Sequence, residues 1–200
     1  MRGGTLISFD DYPILKNNVS TLKETSVDKH DFNDVMYMTC SKRAAVNFDD
    51  VKKDYIEKLC LSEIPKSNDA LFLSRDNKLI FVEFKNGFMD NPKKFAVRKK
   101  IYDSIIILTD ILNTGISSLK DEMEYILVYN ESVNSSEEEI LRKKQYLVQH
   151  SEAFDNFAKS VSKMANTEYV CFGIKMFENY CFSKVHTYTE AEFESFLANN

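Results

Sequence analysis

Alternation of apolar and polar positions is clearest between Asn68 and Gly87, where the chain reads NDALFLSRDNKLIFVEFKNG. Two short apolar runs, ALFL and KLIFVEF, flank the turn-forming tetrapeptide Arg75-Asp76-Asn77-Lys78. That pattern predicts a β-hairpin. Upstream, Phe48, Val51, Tyr55 and Leu59 recur at helical spacing. Asn47 is a good N-cap for them, and Asp49 and Asp50 stand in the first turn, where the helix dipole favours carboxylates. The spacing predicts a helix over 48–61. Downstream, Pro92 opens a longer helical pattern to about Asn113, with Val97, Ile101, Ile105, Leu108 and Leu112 as its buried stripe. The run EYILVY at 124–129 reads as a central strand, so a right-handed βαβ crossover can link it to the hairpin.

The two ends of the chain carry weaker patterns. Leu6, Ile7 and Phe9 read as a short strand, and Phe32, Val35, Met36 and Met38 place a helix within 31–46. Ser135 followed by Glu137, Glu138 and Glu139 signals a helix start. That helix is expected to run to about Met164, with a break near His150-Ser151. Tyr169 to Phe177 alternates like a strand, a turn at Glu178-Asn179 follows, and Tyr180–Tyr188 returns as the other arm of a second hairpin. Thr189 with Glu192 is a capping box for a terminal helix through Leu197. The whole is expected to be one α/β domain over 1–200, with α+β the neighbouring description. Residues 47–130 would form its core. Residues 131–200 would add a helix, a hairpin and the terminal helix packed on it.

Composition narrows the class more than the function. Apolar residues make up 44% of the chain, enough for a real core, while only 5 glycines and 3 prolines argue against long linkers. Net charge is −5, so no global basic field attracts a polyanion. A nucleic-acid partner would need a local basic patch or bound cations. Cys40, Cys60, Cys171 and Cys181 show no CxxC spacing and, with three scattered histidines, no zinc pattern. They read as buried thiols of a reducing compartment, and no run approaches the roughly 20 apolar residues of a membrane span. The expectation is a soluble, cytoplasmic protein with no membrane partner. No GxGxxG, GxxxxGK[ST] or GxSxG loop is present, which argues against nucleotide-phosphate and serine-hydrolase chemistry.

The chemistry-bearing residues gather on the hairpin. Asp69 stands at the mouth of its first strand, and the second ends in Glu83-Phe84-Lys85, with Glu83 and Lys85 on one face. A turn centred near Asp76-Asn77 brings Asp69 and Glu83 to about 5–7 Å at Cβ, close enough to share one ion. Mg²⁺ is often held by one or two carboxylates, and a neighbouring lysine can orient water or stabilise phosphate charge. A Glu-x-Lys at a strand end is also a common ion pair at a solvent edge, so both readings stand at this point. Beyond Gly87 come Lys93, Lys94, Arg98, Lys99 and Lys100, five cations in eight residues and a patch fit to meet a phosphate backbone. Asp50, Asp54 and Glu57 share a face of the 48–61 helix, and Glu57 is the one expected to point toward the hairpin.

This arrangement of helix, hairpin with Asp69 and Glu83-x-Lys85, long helix and strand resembles the PD-(D/E)xK nuclease superfamily, the restriction-endonuclease-like fold. The resemblance covers roughly 47–130. Asn68 stands where the family's name has proline, and a further core strand would have to come from residues 1–46. The resemblance implies a three-layer core, a mixed sheet between helices. It also implies Mg²⁺- or Mn²⁺-dependent phosphodiester hydrolysis of DNA or RNA. Asp69, Glu83 and Glu57 would then hold the metal and Lys85 would lie near the attacking water. The rival reading is a non-catalytic protein-interaction module, of immunity or regulator type, on a similar scaffold.

Overall fold

The computed structural model describes residues 7–28, 35–57, 59–154 and 169–200. The chain begins with a 3-10 turn, Phe9–Asp11, and one helical turn, Pro13–Lys16. It then forms β1 (Val19–Thr21), a helical turn at Leu22–Thr25, and a two-stranded ribbon of Val27–Asp28 against Met36–Tyr37. Next come β2 (Ala44–Asn47), α1 (Phe48–Ile56), β3 (Ala70–Leu73), β4 (Leu79–Lys85) and α2 (Asn91–Ile111). After β5 (Met123–Tyr129) follow α3 (Glu138–Phe154), β6 (Lys184–Thr189) and α4 (Glu190–Asn199).

The six strands form one sheet in chain order, β1 to β6. The first four pair antiparallel, while β4, β5 and β6 run parallel. Helix α2 is therefore the crossover that a parallel β4–β5 pair requires. Alternation along the strands splits the core into two layers. Val46, Leu71, Phe81, Tyr125 and Leu127 face one side, packed with Phe48 and Val51 of α1 and Val97, Ile101 and Leu108 of α2. Ala70, Phe72, Ile80, Val82, Ile126 and Val128 face the other, under Phe193 of α4 and Leu22 and Met38 of the N-terminal arm. The result is a mixed sheet between helical layers. No helix among the described residues is long and apolar enough to cross a membrane.

The predicted hairpin, long helix, central strand and terminal helix are all present, the last with both halves of its capping box. Other expectations are corrected. Tyr169–Phe177 is no strand: Phe172 and Gly173 both take positive φ, which an extended ladder cannot accommodate, and Lys175–Phe177 is a 3-10 turn. The 31–46 region holds Met36–Tyr37 and the strand β2 instead of a helix, its first residues lying outside the described set. Phe9 begins a 3-10 turn, where Ser8 caps the backbone N–H of Asp10, in place of a strand. Helix α1 stops at Ile56, leaving Leu59 exposed, and α3 runs unbroken through 150–151. The expected extension of α3 to Met164 lies outside the described residues. Of the four thiols, Cys171 and Cys181 are buried while Cys40 and Cys60 are exposed.

A polar cross-link ties the far end of the sheet. Glu124 on β5 accepts from Lys78 at 2.6 Å and lies 3.7 Å from His186 on β6. Burial alone would raise the Glu124 carboxyl, but the His186 and Lys78 contacts outweigh it and hold it down at about 2. Its folded value lies below its unfolded one, so its contribution is complete above about pH 4.5 and fades as pH falls toward 2. Glu124→Gln is expected to remove about 3 kcal/mol of that acid-side dependence at most. Urea midpoints at pH 3 and pH 6 for both proteins test this, and equal acid sensitivity contradicts it.

Candidate functional site

Three elements place the site, each for a local reason. On β4, residues 79, 81, 83 and 85 share the face under α2, so Glu83 lies beneath that helix and is fully buried. Asp69 continues β3 by one residue. Its N–H bonds the Val82 carbonyl at 3.1 Å, setting it opposite Glu83. Its Oδ2 accepts the Phe84 N–H at 2.7 Å, which fixes the carboxylate across the strand ends. Helix α1 begins against the same point, because the Phe48 N–H bonds the Asp69 carbonyl at 3.1 Å.

The third contribution comes from α2. Asp90 caps this helix by accepting from the Lys93 N–H, Asn91 and Pro92 open it, and Met89 is buried beside it. Val97, Ile101 and Ser104 then lie against the sheet, and Lys100 falls on the margin of their stripe. Its Nζ bridges the two acids, 2.6 Å from Glu83 Oε1 and 3.0 Å from Asp69 Oδ1. Lys85 Nζ meets the same Glu83 oxygen at 2.5 Å. Two carboxylates and two ammonium groups thus interlock at one end of the central strands. Ser104 Oγ closes the back by accepting from the Asn68 N–H at 2.8 Å.

Electrostatics here are those of a buried, like-charged acid pair. Burial and the Glu83 charge push the Asp69 carboxyl up to about 6, despite Lys100, Lys85 and the Phe84 N–H pulling it down. Burial opposes the Lys100 charge, but Glu83 and Asp69 overcome it and raise the ammonium above the ordinary lysine value. Burial, then Glu83 and Asp69, raise the Tyr125 phenol well above its ordinary value, so it stays a neutral hydroxyl. Among the described residues, Glu83 Oε2, the Tyr125 hydroxyl and the Asn68 side-chain amide are buried with no hydrogen-bond partner. Such orphaned groups mark a place where water or an ion completes the site.

A cleft of about 490 Å³ opens beside the cluster. Asp69, Phe84 and Lys85 line its floor, Asp49, Asp50 and Lys53 of α1 one wall, and Lys93 and Ala96 of α2 another. The N-terminal segment Glu24 to Asp28 forms the remaining side, tied to the floor by Asn86 donating to Asp28 at 2.9 Å.

The structure therefore brings Asp69, Glu83 and Lys85 together, as the hairpin register implied. Glu57 is not brought to them: it sits exposed at the C-cap of α1, eight residues and about 12 Å along the axis from Asp49. Asp49 is the acid of that helix that both lines the cleft and feels the Lys100 charge. Burial would raise its carboxyl, yet the Ser67 hydroxyl, Lys52 and the Lys100 charge lower it on balance. The five-cation patch divides. Lys93 lines the cleft and Lys100 enters the acid pair, whereas Lys94 pairs with Glu137 and Lys99 with Asp103. Arg98 packs toward Gly173. Sequence reasoning missed the role of Lys100, although its spacing carried the signal. It stands three residues after Val97 and four before Ser104, on the inner margin of the helix.

The arrangement fits a divalent cation. Lys100 Nζ shows that one positive charge reaches both carboxylates, and Glu83 Oε2 is a buried acceptor left over. Among the described residues no three His, Cys, Asp or Glu side chains converge as a full cage. An ion here would thus take two carboxylates and complete its shell with water and phosphate oxygens, as Mg²⁺ does. No family model matches the chain, and no curated protein or solved structure matches it either.

Proposed function

We propose that the chain is a Mg²⁺- or Mn²⁺-dependent nuclease of PD-(D/E)xK type, with β2 to β5 and helices α1 and α2 as its core. The observation that carries this reading is the convergence of Asp69, Glu83 and Lys85, with Asp69 and Lys85 on the floor of an open cleft and Glu83 buried behind them. Asp69 and Glu83 would hold the cation. When bound, it supplies Lewis-acid polarisation of the phosphate and activation of water. In the reaction a water oxygen attacks phosphorus, the P–O ester bond breaks, and the leaving oxygen gains a proton. Lys85, held by Glu83 at 2.5 Å, aims its remaining donors at the cleft, to orient that water and balance charge growing on the phosphate. Lys93 and Lys53 on the cleft walls supply contacts to the backbone of DNA or RNA.

The interaction-module reading predicts a solvated Glu83–Lys85 pair, whereas Glu83 is fully buried. Its support lies elsewhere, in Phe95, Tyr102 and Ile106, which stand exposed on the outer face of α2. A cleavage assay with Mg²⁺ or Mn²⁺ on single- and double-stranded DNA and RNA separates the two. Lys85→Ala is expected to cut the rate about 10²-fold in protein that stays folded by near-ultraviolet circular dichroism, because Lys100 still pairs with Glu83. Cleavage that survives this substitution unchanged refutes the role given to Lys85.

A further inference from the structure

We propose that Lys100 is the resident cation of the Asp69–Glu83 pair, and that a divalent cation enters by displacing its ammonium. The inference rests on the reading of that pair as the metal-binding acids. Lys100 touches both carboxylates, at 3.0 and 2.6 Å, and so occupies the position from which one charge serves both. The two acids with Lys85 alone carry a net −1, and Lys100 brings the cluster to zero. Adding a divalent ion with Lys100 still in place would leave +2 in a buried site. With Lys100 displaced, the cluster carries +1, which one phosphodiester charge neutralises. Charge balance therefore favours exchange over addition.

The exchange is mechanically open. Lys100 reaches the acids from α2, an element separate from both strands, through a flexible four-carbon stem that can swing without moving backbone. Its side chain keeps 19% exposure, so one flank already meets solvent. Asp49 lies close enough for the Lys100 charge to lower its carboxyl, and it lines the cleft. It offers the released ammonium a next partner at the cleft wall. Lys100 thus keeps the empty acid pair neutral and sets a threshold concentration for metal.

The experiment is Mn²⁺ binding without nucleic acid, read as free Mn²⁺ by electron paramagnetic resonance, for native protein and Lys100→Met. Removing the competitor is expected to tighten one Mn²⁺ site about tenfold, a gain of about 1.4 kcal/mol. Adding Asp69→Asn to Lys100→Met is expected to lose that site. A Lys100→Met protein that binds Mn²⁺ no tighter than native overturns the proposal. Should that variant fail to fold, ¹⁵N-lysine spectra of the native protein decide. The buried Lys100 Nζ resonance is expected to merge with those of exposed lysines as Mg²⁺ saturates, and a resonance unmoved at saturation overturns the proposal. The nuclease reading fails on a different result, a native protein that binds Mn²⁺ but cleaves no nucleic acid.

Discussion

Glu83→Gln is expected to lower metal-dependent cleavage by about 10³-fold while leaving the protein folded. The glutamine keeps the shape of the side chain and one carbonyl acceptor for Lys85 and Lys100. It loses the charge that, together with Asp69, would hold a cation. It also fills the position of Glu83 Oε2, the acceptor without a partner, with a donor. Every arm of the proposed site meets at this residue: Lys85 and Lys100 bond it directly, and Asp69 lies opposite across the ladder. The change should appear in kcat with Mg²⁺ in excess, measured beside melting temperature and near-ultraviolet circular dichroism. A variant that cleaves at the native rate would show that the buried acid pair holds only the fold.

How much of this site was legible beforehand depended on whether a side chain's role was local. The hairpin was legible because strict alternation, a turn with Asn77 at φ 59° and apolar flanks all act within twenty residues. Its register followed from the turn, and with it the facing of Asp69 and Glu83. Strands β1 and β2 were not, since Val-Ser-Thr and Ala-Ala-Val-Asn are too short for a period to show and are strands only because the sheet pairs them. The 169–177 stretch misled because its alternation is real, while Phe172 and Gly173 turn the backbone left-handed. Glu57 shares a helix face with Asp50 and Asp54, but a face does not say which end of α1 meets the hairpin. The backbone contact from Phe48 to Asp69 decides that in favour of the first turn, and hence of Asp49. Lys100 was hidden among five cations that look alike in sequence, and its place on the inner margin of α2 becomes decisive only because Asp69 and Glu83 are buried beneath it.

That burial makes Lys100→Met the substitution with the largest expected effect on stability when no metal is present. It leaves Asp69 and Glu83 facing each other under α2 with Lys85 as their main counter-charge, and breaking a buried pair by removing one partner costs about 3–5 kcal/mol. In a chain of 200 residues that corresponds to a fall of about 6–20 °C in melting temperature. The loss has a specific cure. Glu83→Gln in the same chain removes one of the two unbalanced charges, so the double variant is expected to be more stable than Lys100→Met alone. The coupling between the two sites should reach about 2 kcal/mol, inside the range of contacting residues. Urea unfolding of the four proteins in EDTA measures it. Additive effects would mean that Lys100 stabilises by packing its stem on α2, with its ammonium indifferent to the acid pair.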